Sequence, residues 1–424
     1  MRVKIIPSEI KGDFLAPPSK SMMQRACALG LLNCGITTIL NPGYSNDDFA
    51  ALSIIETLGA SVQKSNQSIV IISNGKVNPN STIFCGESGL SFRLFSIVAT
   101  VASKEFVITG EGSLLTRDMQ TLIEIFKNLN VQVSSNDGRL PFKIKGPLLP
   151  KYFSIDGSKS SQYLTGLLMA LGSSAEEPVT IDVENLVSKP YIDLTLDMMR
   201  FFGYDITHEA YQHFHINPKK HLEKNIEISI EGDWSSAAFF FVAGAIHGDI
   251  NISGLNINSK QADRKILEVM NLAGVNYNVS NQTIKISKNN NPLKAFDFDA
   301  TDCPDLFPAL VVLALHCRGN SSIKGVMRLI NKESNRAFTL QTVFTQMGGI
   351  IDIEDDNMIV KGDISLNGVE VSSHHDHRIA MAISIAAISA HGEMNITDAD
   401  AVYKSFPEFY DKLKLLGCSL SLIK

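Results

Sequence analysis

The chain has 424 residues, which exceeds what one hydrophobic core usually supports and predicts two domains. Its 44% hydrophobic content is that of a globular protein, and its net charge of −6 argues against nucleic acid or an anionic membrane surface as a partner. Six scattered cysteines, no leader-like apolar run and no membrane-length apolar stretch predict a cytoplasmic protein with free thiols.

Six predicted helices recur along the chain at a nearly constant interval, and each opens on small, polar or charged residues. The intervals between successive openings are 69, 72, 75, 70 and 71 residues. An apolar helical stretch follows every opening, so these helices belong inside a domain. The six openings are marked by Ser19, Ser88, Ser160, Ser235, Asp305 and Asp376.

A second helix series alternates with the first and is amphipathic, which predicts helices that face water. Each of these helices ends at a residue suited to the left-handed conformation, namely Gly59, Asn130, Gly203, Gly274, Gly348 and Gly417. In the second repeat we expect helices over 88–102 and 116–129, with Arg117 opening the latter, and a hairpin turn at 136–138. Each repeat therefore reads as strand, helix, strand, helix, strand, strand.

Buried helices surrounded by outer sheets follow from this pattern, which is unusual because sheets normally occupy the centre of α/β proteins. Six repeats divide most simply into three plus three. Turn-like residues near 16–18 and around 231–232 mark crossovers between the two halves. We expect one domain over 19–231 and a second formed by 1–18 together with 232–424.

The helix openings are rich in cations and hydroxyl groups, and helix N-termini attract anions. If they converge, they form a site with about seven cations and few carboxylates, suited to substrates that carry phosphate and carboxylate groups. Neither a P-loop nor a dinucleotide-binding glycine motif is present. The histidines at 374, 375 and 377 lack a second ligand group at suitable spacing, so we expect no metal and no cofactor.

Several of these segments, taken in order along essentially the whole chain, resemble the EPSP synthase family of enolpyruvyl transferases. The matching segments are Pro18-Ser19-Lys20-Ser21 with Arg25, the run 156–165, Ser188-Lys189-Pro190-Tyr191, Lys332-Glu333-Ser334-Asn335-Arg336 and Asp376-His377-Arg378. The resemblance implies an α/β (α+β) fold of two similar domains, each an inside-out barrel of three βαβαββ units that close over a cleft. It also implies transfer of the enolpyruvyl group of phosphoenolpyruvate to shikimate 3-phosphate, in aromatic amino-acid biosynthesis, by a monomer.

The resemblance also implies roles for individual residues. Shikimate 3-phosphate would be held by Ser21, Arg25, Ser160, Ser161, Ser188, Tyr191, Asp305 and Lys332. Phosphoenolpyruvate would be held by Lys20, Gly89, Arg93, Arg117, Gln162, Arg336, Arg378 and Lys404. Asp305 would take the proton of the attacking hydroxyl, and Lys20 and Glu333 would be the acids and bases at the methylene carbon. The chain departs from the usual family pattern at Glu87, Leu90, Asp118, Arg328 and Asn335.

Three other interpretations stay open at this point. A UDP-N-acetylglucosamine enolpyruvyl transferase shares the fold, but it would carry a Lys-Asn pair at the first helix and a cysteine before its loop arginine. Here Ser21 follows Lys20, and 111–116 contains no cysteine. A weakened or silent paralogue that binds anionic metabolites would lose its acid–base residues, which this chain retains. An RNA-end-processing enzyme of related architecture would call for a more basic surface.

Overall fold

The computed structural model describes residues 1–219, 224–280, 282–288 and 291–423, and the chain divides into two compact units. The first, called the continuous unit, is Pro18–Glu231. The second, called the discontinuous unit, combines Met1–Pro17 with Gly232–Lys424. No described helix has both the length and the apolar character needed to cross a membrane.

The described residues contain twelve α-helices, six in each unit. Those of the continuous unit are α1 (Lys20–Leu32), α2 (Asn46–Thr57), α3 (Gly89–Val98), α4 (Gln120–Asn128), α5 (Ser161–Ser174) and α6 (Lys189–Phe201). Those of the discontinuous unit are α7 (Trp234–His247), α8 (Ile266–Leu272), α9 (Phe307–Leu315), α10 (Arg336–Gln346), α11 (His377–Ala387) and α12 (Phe409–Leu415). Short 3-10 helices span Ala99–Val101, Gly112–Thr116, Ala262–Lys265, Pro304–Leu306, Val326–Leu329 and Ala399–Lys404.

The predicted end of every even-numbered helix is confirmed. Two residues after the last helical residue comes a residue with positive φ, from +57° at Asn130 to +108° at Gly59. This left-handed residue turns the chain away from the helix axis, so that backbone amides at the turn can donate to the last carbonyls of the helix. The amide of Gly59 donates to the carbonyl of Glu56, and the amide of Gly348 donates to that of Thr345.

Three four-stranded sheets surround the helices of the continuous unit. The strands, in spatial order, are Ile226–Ser229, Cys34–Leu40, Ser68–Asn74 and Ser61–Lys64; then Ile83–Phe84, Glu105–Thr109, Arg139–Lys145 and Gln132–Asn136; then Phe153–Asp156, Val179–Glu184, His213–Ile216 and Ile206–Glu209. In each sheet the first two strands are parallel and the others antiparallel. The second and third sheets each arise from one strand–helix–strand–helix–strand–strand repeat, whereas the first sheet takes its edge strand, Ile226–Ser229, from the end of the unit.

The discontinuous unit repeats this arrangement and uses the first residues of the chain to complete it. Its sheets are Ile10–Leu15, Gly248–Ser253, Thr283–Ser287 and Tyr277–Ser280; then Asp297–Asp299, Asn320–Lys324, Asn357–Lys361 and Ile350–Glu354; then Glu370–Ser372, Met394–Thr397, Arg2–Ile6 and Ser419–Ile423. A further pair joins Leu293–Lys294 to Cys317–Arg318. The two earliest strands thus pair with strands that lie hundreds of residues later.

The odd-numbered helices are buried around most of their circumference, as predicted from their composition. In α7 every residue from Trp234 to Ile246 is buried, and in α3 every residue is. The even-numbered helices bury only one side, as in α4, where Leu122, Ile125 and Phe126 face the core. Helices therefore fill the inside of each unit and sheets form its outside, so the predicted inside-out α/β class is confirmed.

One predicted helix boundary is wrong. The expected helix over 116–129 begins only at Gln120, and Arg117 ends the preceding 3-10 helix in an extended conformation. The amide of Met119 donates to the carbonyl of Gly138 in the adjacent hairpin turn, which holds this segment outside the helix. Arg117 therefore lies in a loop and does not open α4.

Candidate functional site

The N-terminal turns of α1, α3 and α5 are joined to one another by side-chain hydrogen bonds. Ser88, the N-cap of α3, and Ser91 in its first turn both donate to the amide oxygen of Gln24 in α1, over 3.3 and 3.0 Å. Arg93 of α3 donates to the amide oxygen of Gln162 in α5 over 3.0 Å. Since helix N-termini carry partial positive charge, the continuous unit gathers three such ends in one place.

Arg25 is a buried cation whose partners in the described structure are all neutral. Its guanidinium donates to the Thr195 hydroxyl and the Ser21 carbonyl, each over 2.8 Å, and makes longer bonds to Thr165 and the Tyr191 carbonyl. Its side chain also faces the ring of Tyr191. Burial lowers the pKa of Arg25 to about 10, because desolvation disfavours the charged form. Such a cation is better accommodated once an anion binds beside it.

A second cationic group surrounds Gly89, the first residue of α3. A Cβ atom added there would lie 2.6 Å from Nη1 of Arg117 and 2.8 Å from Nη1 of Arg93, so both guanidinium groups approach the bare backbone. Arg93 is buried, and its described partners are the Gly89 carbonyl, the Gln162 amide and the face of the Tyr163 ring. The predicted residues Gly89, Arg93, Arg117 and Gln162 are thus brought together.

The predicted serines have different local roles. Ser160 is the N-cap of α5 and accepts from the amide of Gln162, whereas Ser161 is buried in the first turn. Ser188 precedes α6 in the left-handed conformation, with φ +55°. This conformation costs a non-glycine residue roughly 1–2 kcal/mol, and strained backbone of this kind concentrates at functional sites. The Ser188 carbonyl accepts from the amide of Tyr191, which links these two predicted residues.

Lys20 is the first residue of α1, and its ammonium donates to the carboxylate of Asp47 over 2.8 Å. Both side chains are largely buried, with exposed fractions of 15% and 9%. Asp47 belongs to the first turn of α2, so this ion pair ties the starts of two helices together. The ion pair therefore places a carboxylate directly beside the predicted acid–base residue Lys20.

In the discontinuous unit, Asp305 lies at the centre of three cations. One carboxylate oxygen accepts from Arg336 over 3.1 Å and from Lys332 over 3.3 Å, and the other accepts from Arg378 over 3.1 Å. Burial alone would raise the pKa of Asp305, but the charges of Arg378, Lys332 and Arg336 outweigh it and hold that pKa well below its ordinary value. Asp305 is therefore held in its charged form, as a hydrogen-bond acceptor whose basicity these three cations reduce.

Arg336 is fully buried and joins three carboxylates. Its guanidinium forms a bidentate pair with Asp376, over 2.9 and 3.1 Å, and also bonds Glu333 and Asp305. Burial disfavours its charge, but Asp376, Glu333 and Asp305 together raise the pKa of Arg336 above its ordinary value. Asp376 is held in turn by the Arg378 amide at the start of α11. The five predicted residues Asp305, Lys332, Glu333, Arg336 and Arg378 thus form one network.

Lys332 and Lys404 differ in their surroundings. Burial, assisted by Arg336 and Arg328, lowers the pKa of Lys332 although Asp305 and Glu333 oppose this shift. Lys404 ends the 3-10 helix Ala399–Lys404 and donates to the His375 carbonyl over 2.6 Å, one residue before Asp376. Its ammonium therefore lies next to the segment that carries Asp376, a member of the network.

Glu333, Asp376 and His377 bring one donor atom each to within 4.8 Å of one another, which is close enough to share a metal ion. Arg336 already donates to both carboxylates of this group. The fully buried guanidinium of Arg336 already balances the negative charge of these carboxylates, which a metal ion would need for its binding. This group therefore does not fit a metal.

Sequence reasoning missed several residues that hold the predicted ones in place: Asp47, Thr165, Thr195 and Asp376. Thr165 and Thr195 bond each other and Arg25, although Thr195 lies 170 residues from Arg25 in the chain. Asp376 and Thr165 belong to segments already noted for their resemblance to the family. Asp47 carried a weaker signal, because a carboxylate in the first turn of a helix usually indicates only a favourable interaction with the helix dipole.

The chain was compared with known protein families and curated proteins. The family model for EPSP synthase (3-phosphoshikimate 1-carboxyvinyltransferase) matches residues 5–413. A protein of that name from Clostridium perfringens is 35% identical over 420 residues, which is 98% of this chain and 98% of the relative. One from Clostridium botulinum is 34% identical over 422 residues, covering 98% of this chain and 97% of the relative.

Solved structures give the same result. The EPSP synthase of Acinetobacter baumannii covers 100% of both chains with a TM-score of 0.82 and 27% identity. The enolpyruvyl transferase NikO of Streptomyces tendae covers 99% of this chain and 98% of its own, with a TM-score of 0.79 and 15% identity. At that identity the second likeness concerns the fold alone.

Proposed function

Because the chain belongs to the EPSP synthase family, we propose that it transfers the enolpyruvyl group of phosphoenolpyruvate to shikimate 3-phosphate in the shikimate pathway of aromatic amino-acid biosynthesis. The observation that carries the proposal is the contrast between two groups of buried cations. Among the described residues, the hydrogen-bond partners of Arg25 and Arg93 are all neutral, whereas Arg336 and Arg378 form ion pairs with carboxylates. The former suit anionic substrates, and the latter hold acid–base groups.

In this proposal the continuous unit binds mainly the anions. Shikimate 3-phosphate contacts Ser21, Arg25, Ser160, Ser161, Ser188 and Tyr191, and phosphoenolpyruvate contacts Lys20, Gly89, Arg93, Arg117 and Gln162. Helix N-termini and guanidinium groups are the usual partners of phosphate and carboxylate oxygens. The discontinuous unit adds Asp305, Lys332, Arg336, Arg378 and Lys404 to substrate binding.

The reaction proceeds by addition and then elimination. The 5-hydroxyl oxygen of shikimate 3-phosphate bonds to C2 of phosphoenolpyruvate as its proton passes to Asp305, while C3 takes a proton from Lys20 or Glu333. The tetrahedral intermediate then loses a proton from the new methyl group and expels phosphate, which restores the double bond. A neutral alcohol is a weak nucleophile, and an enol becomes electrophilic at C2 only on protonation, so a base and an acid are both required.

The direct test is phosphate release on mixing the protein with phosphoenolpyruvate and shikimate 3-phosphate, with formation of 5-enolpyruvylshikimate 3-phosphate followed by mass spectrometry. We expect release only when both substrates are present. Replacement of the acceptor by UDP-N-acetylglucosamine separates the related transferase activity, and Asp305→Asn is the control for the chemical step. Absence of release from both the natural protein and a Glu87→Asn, Leu90→Thr variant would overturn the proposal in favour of a silent paralogue.

Two further expectations accompany this function: the enzyme acts in the cytoplasm and as a monomer. Its substrates are small charged metabolites, which suits a cytoplasmic enzyme. Both groups of functional residues are supplied by a single chain, so a second copy is not required to complete either group. Light scattering of the purified protein tests the monomer, and fractionation of the source cells tests the location.

A further inference from the structure

The segment that carries Arg117 is anchored to the residues before α3 by two hydrogen bonds. The amide of Glu111 donates to the carbonyl of Gly86 over 2.9 Å, and the amide of Ser113 donates to the carboxylate of Glu87 over 2.8 Å. These bonds join the 3-10 helix Gly112–Thr116 to the start of the helix whose first residue is Gly89. The segment is therefore fixed at its beginning by Glu87.

Gly112 shows how closely Glu87 fits against this segment. It has φ +54°, and a Cβ atom added there would lie 2.3 Å from Oε2 and 2.4 Å from Cδ of Glu87. Only glycine suits both the left-handed conformation and this close approach. The Glu87 carboxylate therefore packs against Gly112 and bonds the amide of the next residue.

Ser113 connects this anchor to the guanidinium of Arg117. The Ser113 amide bonds Glu87, and its hydroxyl accepts from Nη2 of Arg117 over 3.2 Å. The other terminal nitrogen of Arg117 lies against Gly89, close to Arg93. The position of one serine therefore determines where this guanidinium presents its charge.

We propose that Glu87 is a positioning residue that, through Ser113, fixes Arg117 for binding phosphoenolpyruvate. This inference rests on the proposed function. Glu87 is one of the positions at which the chain departs from the usual family pattern, and its carboxylate makes a stronger acceptor for an amide than a neutral group does. Glu87 acts without touching the substrate, and its effect appears in the affinity for one substrate only.

The test is steady-state kinetics of Glu87→Ala with each substrate varied in turn. We expect KM for phosphoenolpyruvate to rise about tenfold, as for loss of one charge-assisted hydrogen bond, with kcat and KM for shikimate 3-phosphate within about twofold of the natural enzyme. Glu87→Gln keeps a neutral oxygen acceptor for the Ser113 amide, so its KM for phosphoenolpyruvate should lie between the natural value and that of Glu87→Ala. Glu111→Ala removes an exposed carboxylate two residues away from Ser113 and is the matched control.

A double-mutant cycle tests the path through Ser113. Ser113→Ala keeps the amide but removes the hydroxyl that holds Arg117, so we expect Glu87→Ala to raise KM much less in that background. Unchanged KM for phosphoenolpyruvate in Glu87→Ala, or equal effects in both backgrounds, would overturn the inference. An inactive natural protein would instead contradict the proposed function, and thermal unfolding of each variant separates both results from misfolding.

Discussion

Two arginines that are equally buried have opposite surroundings, and we expect opposite consequences when each is replaced. Arg25 bonds hydroxyl and carbonyl groups, and burial lowers its pKa, so its charge costs stability in the unliganded protein. Arg25→Met should leave the free energy of unfolding within about 1 kcal/mol of the natural value, or raise it. It should also raise KM for shikimate 3-phosphate at least roughly a hundredfold.

Urea unfolding without substrate and steady-state kinetics measure the two effects. A large loss of stability in Arg25→Met would mean that its neutral hydrogen bonds, rather than an absent anion, account for its burial. An unchanged KM would remove Arg25 from the substrate site altogether.

Arg336→Met should instead destabilise the protein strongly. Its removal takes away the buried guanidinium that Asp376, Glu333 and Asp305 share, and Asp376 then loses its bidentate ion pair. Loss of one partner from a buried ion-pair network typically costs about 3–5 kcal/mol. The same urea titration applies, with Arg25→Met as the comparison. Equal stability of the two variants would contradict the assignment of Arg336 as the charge that holds this network together.

At the scale of a single element, the start of α2 predicts a dependence of stability on pH. Asp48 is buried there and accepts from the amide and hydroxyl of Ser45 in a capping box. Burial raises the pKa of Asp48 to about 7, although the bonds from Ser45 oppose the shift. An acid whose pKa is raised on folding stabilises the fold fully below its unfolded pKa and loses that contribution as pH rises through its folded pKa.

The contribution of Asp48 should therefore fall by roughly 2 kcal/mol between pH 5 and pH 7 and change little above that. Asp48→Asn keeps an oxygen acceptor for the cap but does not titrate, so this fall should be absent from the variant. Urea titrations of both proteins at pH 5, 6, 7 and 8 measure it. Parallel stability curves for the two proteins would contradict the prediction.

The first residue of α3 predicts a change in function without a loss of fold. In Gly89→Ala the new Cβ meets the ends of two flexible arginine side chains, which can move, so the helix should form normally or slightly better. The displaced guanidinium groups of Arg93 and Arg117 should raise KM for phosphoenolpyruvate about tenfold or more. Gly30→Ala is the control, because the atoms nearest to its Cβ belong to the side chain of Ile71 and not to an arginine. Similar KM values for the two variants would contradict the argument.

The same elements show what the sequence could predict and why. Helix ends and apolar faces follow local rules, so the glycine and asparagine ends and the buried helices were predictable. The beginning of α4 was not, because the amide that delays it bonds a hairpin carbonyl 19 residues further on. The partners of Arg25 and the ion pair between Lys20 and Asp47 join helices distant in sequence, and no local pattern specifies such pairs.

At the scale of the whole molecule, the two units differ in how the chain builds them. The continuous unit takes all twelve strands of its three sheets from one stretch, and its last strand, Ile226–Ser229, pairs with its first, Cys34–Leu40. The discontinuous unit needs strands from both ends of the chain, since Arg2–Ile6 and Ile10–Leu15 join its sheets. Independent folding is therefore expected of the continuous unit in particular.

We expect residues 18–231, expressed alone, to fold cooperatively and to bind shikimate 3-phosphate without releasing phosphate from phosphoenolpyruvate. Its six helices and three sheets enclose their own core, and Arg25 with its neutral partners lies within it. The proposed base Asp305 and the acid–base residue Glu333 belong to the other unit, so turnover should be absent. Calorimetric titration with shikimate 3-phosphate measures binding, and Arg25→Met in the same fragment is the control. A folded fragment that binds equally well with and without Arg25 would contradict the assignment of this unit to the phosphorylated acceptor.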